Sequence, residues 1–176
     1  IFFDLRSIWG PEEGCNKLQR HMLDEIAESP VFQRLMANNA LRHRPPVGRF
    51  RDFVLERRGD DKDTLDLKIQ GLTPFVDGAR LLALANGIGE CNTLERLRLL
   101  VEKGAMDPKD GEAYEEAYHF IQQTRMELHQ QQSRDNQPFS NRLAPQDLNN
   151  LDRRILRESF RQAQRLQGSL ALRYQL

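Results

Sequence analysis

The side chains able to do chemistry are few in this chain, and their spacing excludes most familiar sites. His21, His43, His119 and His129 fall at intervals that make no metal-ligand set, and exposed or capping roles are expected for them. Cys15 and Cys91 each stand among helical apolar neighbours, so core packing is expected of them rather than nucleophilic work. There is no glycine-rich phosphate loop, no paired-histidine metal helix and no Gly-x-Ser-x-Gly elbow. A complete catalytic site within these 176 residues is therefore not expected.

The bulk properties narrow the class further. With 26 basic and 26 acidic side chains the net charge is zero, so no overall field attracts a polyanion. Arginine-rich stretches at 42–58 and 153–165 are interleaved with acids, which argues against a continuous nucleic-acid track. Two distant cysteines make neither a disulfide framework nor a metal knuckle, and a reducing cytoplasm is the expectation. No apolar run approaches the roughly 20 residues that span a bilayer, and the start lacks the order of a signal peptide. A chain of this length with 39% hydrophobic residues suits one globular unit.

The elements that must position any site are mostly helical. Ile1-Phe2-Phe3-Asp4-Leu5 reads as a buried strand whose partners are expected either upstream or from packing. Cys15, Leu18, Met22 and Ile26 predict a helix over about 11–28. Ser29-Pro30 opens a second, which must end before Pro45-Pro46, with Arg42, His43 and Arg44 capping its last turn. Phe53-Val54-Leu55 and Leu65 to Ile69 flank a polar turn and predict a small β-hairpin. Thr73-Pro74 starts a third helix closed by Asn86-Gly87, and Asn92 with Glu95 makes a capping box for a fourth that ends at Gly104. Asp107-Pro108 starts a long fifth that fades in the polar run 130–137, and leucines spaced from Leu148 to Leu170 predict a last helix from about Gln146. The expected fold is mainly α: an antiparallel bundle of about six helices with a small hairpin and the N-terminal strand.

Four ordered motifs carry a resemblance over nearly the whole chain. They are Phe2-Phe3-Asp4-Leu5-Arg6, the segment Asn39 to Pro46, the run Leu65 to Lys68 with Gly71 to Arg80, and Asn92 to Leu97. Together they resemble the nucleotidyltransferase substrate-binding domain found at the C-terminus of bacterial signalling proteins, behind cyclic-nucleotide-binding, CBS and nucleotidyltransferase domains. That family is in turn similar to PII uridylyltransferases and glutamine synthetase adenylyltransferases. Their Lys and Gly-Gly-Leu-Arg-Asp motif is met loosely by Lys68 and Gly71-Leu72, with Thr73-Pro74 standing where Arg-Asp would be.

The resemblance implies that residues 1–9 are the last strand of an upstream catalytic domain and 10–176 a helical substrate-binding domain. Catalysis would belong to that upstream domain, with Mg²⁺ and a nucleoside triphosphate, and this chain would supply no catalytic residue and hold no cofactor itself. Asp4 would be a leftover metal ligand from the catalytic sheet, or simply a strand-ending carboxylate paired with Arg6 or a helix terminus. Arg42, Arg44, Lys68, Arg80 and Arg96 are the candidates for a nucleotide phosphate or other anionic substrate, since guanidinium forks match phosphate oxygens. Asp66, Asp77 and Asn92 would orient those groups or meet a ribose, while Asn92 also suits a plain N-cap. Lys68, Arg80 and Arg96 are expected to line one cleft facing Asp4. Implied partners are the upstream catalytic and sensor domains and a protein or small-molecule acceptor, with a homodimer open. A different class of function also fits: a non-catalytic interaction or dimerisation module using apolar residues such as Leu170, Leu172 and Tyr174.

Overall fold

The computed structural model describes residues 2–48, 53–59 and 61–176. The elements follow the apolar periodicity: α1 (Glu13–Ala27), α2 (Pro30–Ala40), β1 (Leu65–Asp66), α3 (Thr73–Ala85), α4 (Thr93–Glu102), α5 (Pro108–Arg134), β2 (Arg142–Leu143) and α6 (Asn150–Tyr174). Polar side chains fix most of the helix starts. The Ser29 hydroxyl accepts from the Phe32 amide, Asn92 from Leu94 and Glu95, Asp107 from Lys109, and Asn149 from Leu151 and Asp152. The last helix consequently begins at Asn150, and the stretch Pro145–Asp147 ahead of it is a separate 3₁₀ turn. In the expected capping box the reciprocal partner is Glu90, whose carboxylate accepts from the Asn92 amide, while Glu95 pairs with Arg98.

α3 is the axis of the bundle and packs against α1, α2, α4 and α6; α5 lies along α4 and α6. Phe75, Ala79, Leu81, Leu82, Ala83 and Leu84 are all buried, so this short helix is apolar over most of its circumference, as a helix surrounded by others must be. Phe160, Leu156 and Leu166 of α6 and Ile121 of α5 complete the interior. Burying a side chain of this size contributes about 1.5–3 kcal/mol. Glycines permit close approach at several contacts, two of them on the turn ahead of α3 and on α3 itself. A Cβ on Gly78 would stand 2.9 Å from Leu166 Cδ2, and one on Gly71 would stand 2.9 Å from Phe160 Cε1.

Two expectations are corrected here. Residues 2–4 form a 3₁₀ turn, not a strand, and the backbone carbonyls of Phe3 and Leu5 are satisfied by side chains instead of by a sheet. The hairpin is also not formed as expected. Leu65 and Asp66 pair antiparallel with Leu143 and Arg142, far along the chain, and Phe53 makes only a single bridge to Val47. Glu56 does exchange backbone hydrogen bonds with Thr64 and Asp63, so residues 56–64 close on themselves without a ladder; Asp60 of that turn lies outside the described residues. After β1 the chain enters a π-helical turn, Leu67–Leu72, because the Asp66 carboxylate accepts from the amides of Lys68 and Ile69 and starts a helix there.

Smaller differences concern the helix faces. α2 ends at Ala40, so Arg42, His43 and Arg44 stand beyond its last turn. Leu18 and Leu151, placed on inward stripes by spacing alone, are exposed. Leu170 is a core residue and not part of a free surface, Tyr174 is half-buried with its hydroxyl on Gln33, and Leu172 is 83% exposed. No helix among the described residues is long and apolar enough to cross a membrane.

Candidate functional site

Two helix-borne arginines meet one carboxylate from the N-terminal segment. Arg96 lies in the first turn of α4 and is 1% exposed, the most deeply buried charged side chain among the described residues. Its Nε donates to the Glu90 carbonyl at 2.6 Å, and its Nη2 donates to the Phe3 carbonyl at 3.3 Å and to Asp4 Oδ1 at 2.6 Å. Its Nη1 is buried with no partner. Arg80, in the second turn of α3, approaches from the other side. Its Nε donates to Asp4 Oδ1 at 3.3 Å, Nη2 to Asp4 Oδ2 at 2.8 Å, and Nη1 to Asp77 Oδ1 at 2.8 Å.

This geometry sets the protonation of both acids. Burial works to raise the Asp4 pKa, but the hydrogen bonds and charges of Arg80 and Arg96 outweigh it and hold the group below its ordinary value. Asp77 goes the other way: burial pushes it up further than Arg80 and His43 pull it down. Glu90 is held low by the amides of Asn92 and Cys91, which its carboxylate accepts.

Beside this cluster lies a cleft of about 660 Å³ between the N-terminal segment, α1 and the loop that leads into α4. Asp4, Arg6, Gln19, Glu90, Cys91 and Asn92 are among its walls. Gln19 joins two of those walls, since its Nε2 donates to the Gly89 carbonyl at 2.6 Å and to the Leu5 carbonyl at 3.3 Å. Both cysteines line the cleft and are half-buried there, in place of the core positions expected of them; burial raises the Cys91 pKa. A pocket with these groups offers several hydrogen-bonding partners to a polar ligand and one arginine, Arg6, at its rim.

The structure brings together Asp4, Asp77, Arg80 and Arg96, and places Asn92 at the edge of the cleft. The single cleft expected for Lys68, Arg80 and Arg96 is not formed: both arginines reach Asp4, but neither lines the polar cleft, and Arg80 with Asp77 lines a separate pocket beside Phe3 and Phe32. Lys68 does not join them. It is exposed on the π-helical turn, because the hairpin that was to carry it toward the cleft is absent. Arg42 and Arg44 are exposed beyond α2 and do not line the cleft either. Asp66 is occupied in capping Lys68 and Ile69, with Arg142 nearby, and Asn92 in capping α4. Arg6, a candidate partner of Asp4 by its spacing, lies instead on the wall of the cleft, while Arg80 and Arg96 take the carboxylate. Gln19 and Glu90 carry no such signal in the sequence. Gln19 lies on a polar helix face, and no spacing rule marks such a residue before two distant loops are seen to meet it.

The Mg²⁺ that the resemblance implies does not fit Asp4 as it stands. Both of its oxygens are engaged by guanidinium groups, and no three metal-capable side chains converge among the described residues.

No curated protein and no solved structure matches the chain. One family does, over residues 30–174, which takes in every helix from α2 to α6 and both cluster arginines. The chain thus belongs to the family described as "Putative nucleotidyltransferase substrate binding domain".

Proposed function

We propose that the chain is the helical substrate-binding domain of a signal-transduction nucleotidyltransferase of the uridylyltransferase-like kind, acting in the cytoplasm with a catalytic domain of the same protein. The observation that carries this reading is the junction of Asp4 with Arg80 and Arg96 beside the polar cleft. It ties the N-terminal segment to α3 and α4, so a catalytic domain joined through that segment would sit against the cleft. CBS and cyclic-nucleotide-binding sensors preceding the catalytic domain would then act through the same segment. Residues 1–9 belong to the junction and 10–176 to the substrate domain proper.

Nucleotidyl transfer depends chiefly on placement and charge neutralisation. The catalytic domain would bring Mg²⁺ and the nucleoside triphosphate. This chain's residues would hold the acceptor: Gln19, Asn92 and Glu90 offer hydrogen bonds in the cleft, and the bundle fixes Arg80 and Arg96 on two separate helices behind it.

The test uses the longer protein with labelled nucleoside triphosphates and Mg²⁺. Arg80→Ala should lower kcat/KM for the acceptor by about tenfold or more, the effect of losing a charge-assisted hydrogen bond, with the circular dichroism of the bundle retained. The 176-residue chain alone should give no transfer above a protein-free blank. An unchanged KM and kcat in the Arg80→Ala protein removes the cluster from substrate handling.

A further inference from the structure

The Asp4 junction is unusual in its balance of donors. Three guanidinium N–H groups, Arg80 Nε, Arg80 Nη2 and Arg96 Nη2, converge on the two oxygens of one carboxylate. A further donor, Arg96 Nη1, is buried without a partner in a side chain that is 99% out of solvent. Buried guanidinium groups rarely waste a donor, because leaving one unmade is costly. The site therefore holds more hydrogen-bonding capacity than the carboxylate uses. A phosphoryl group carries one more oxygen and up to twice the charge, and arginine forks match it in shape.

The carboxylate also arrives on a lightly fastened element. Asp4 is 31% exposed in its side chain and ends a single 3₁₀ turn. The segment around it is held by Phe3 against Phe32, with ring centroids 5.7 Å apart, and by contacts of Gln19 and Cys91 to the Leu5 carbonyl. Just beyond, Ile8 and Trp9 are each 95% exposed and add no apolar anchor. The two arginines, by contrast, stand on helices built into the core.

We propose that Arg80 and Arg96 form a phosphoryl-binding site that Asp4 fills as an internal competitor, so that residues 2–7 must lift before a phosphate-bearing ligand enters. The inference rests on the substrate-binding reading for the source of that phosphate, but not for the binding itself. Two other acids face the site. Asp77 bonds the far nitrogen of Arg80, and burial moves it toward its neutral form; the Glu90 carboxylate is engaged by the amides of Cys91 and Asn92. Neither occupies the donors that Asp4 takes.

Pyrophosphate is the probe, titrated calorimetrically at neutral pH and low salt into the 176-residue chain, Asp4→Asn, Asp4→Ala, and Asp4→Ala combined with Arg80→Gln. Removing the competitor should tighten pyrophosphate binding by about tenfold or more over wild type, and adding Arg80→Gln should abolish that gain. Pyrophosphate should also raise the Tm of Asp4→Ala more than that of wild type. Should Asp4→Ala fail to fold, Asp4→Asn, which keeps the shape and loses the charge, carries the test. Equal affinity in wild type and both Asp4 variants overturns the proposal, as does a gain that survives Arg80→Gln. Because no transfer is measured, such a failure leaves the acceptor-binding reading to be judged by its own assay.

Discussion

The bundle interior around α3 and the N-terminal segment at 2–12 are held in opposite ways. The interior is almost wholly apolar: Phe75, Leu81, Leu84, Leu156, Phe160 and Leu166 are each fully buried, and neighbouring helices enclose them on every side. The segment is attached largely by polar contacts, with its carbonyls on Arg96, Gln19 and Cys91, its Asp4 on two arginines, and only Phe3 packed on an aromatic partner. Burial of apolar area is non-directional and accumulates over many atoms. A guanidinium–carboxylate junction is directional, concentrated in a few atoms, and exposed to competition from pH, salt and other anions.

The largest break in this comparison is expected in the interior. Phe160→Ala removes a ring that meets Phe53 edge-on and presses on the backbone at Gly71, and should cost about 3–5 kcal/mol in urea unfolding. The N-terminal segment should detach cooperatively with the rest of the fold in that variant, since its anchors ride on α3 and α4.

A smaller effect follows at the junction. Asp4→Ala leaves the buried Arg96 without its countercharge and should cost about 1–3 kcal/mol. Its pH dependence separates it from the interior variant. Because the folded-state pKa of Asp4 is lowered, its contribution is complete above the ordinary carboxylate value of 3.8 and is lost as pH falls through the lowered folded value. The raised pKa of Asp77 has the opposite sign: the folded state favours its protonated form, so its contribution declines as pH rises through the raised value. Urea midpoints taken across about pH 2 to 6 should therefore show a flatter limb below 3.8 for Asp4→Asn and a flatter limb above it for Asp77→Asn. Parallel curves for both would show that the junction is too screened to matter.

The smallest expected effect is a gain. Gly168 is exposed within α6, and a Cβ there meets nothing within 4 Å, so Gly168→Ala should stabilise by about 0.5–1 kcal/mol through backbone entropy alone. Thermal denaturation would register this as a rise in Tm with no change in the pH profile.

The same contrast explains what could be read from the sequence. α3, α4 and α5 announce themselves through Pro74, Asn92 and Asp107 at their starts and through repeated apolar residues, because helix signals are local. The hairpin is not legible because alternation at 65–69 says that a strand can form but not where its partner lies; the partner is at 142–143, reached only after three helices. Phe2, Phe3 and Leu5 have strand composition, yet with arginine and glutamine side chains available to their carbonyls the segment needs no sheet. In the site, Arg80, Arg96 and Asp4 were legible from motifs, whereas Lys68 was misplaced along with the hairpin. Gln19 gave no signal, since its role arises from the meeting of residues 5, 19 and 89 in space; Glu90 instead caps locally, on the amides of Cys91 and Asn92.

Gly78 has a mechanical meaning as well as a steric one. With Leu166 filling the space where its side chain would be, α3 is seated against α6 like a shaft against a key, free neither to turn about its axis nor to slide a step along it. Arg80 is only two residues further on, so its angular setting is inherited from that seat. Arg80 thus meets Asp4 from a position set by the packing of α3 on α6.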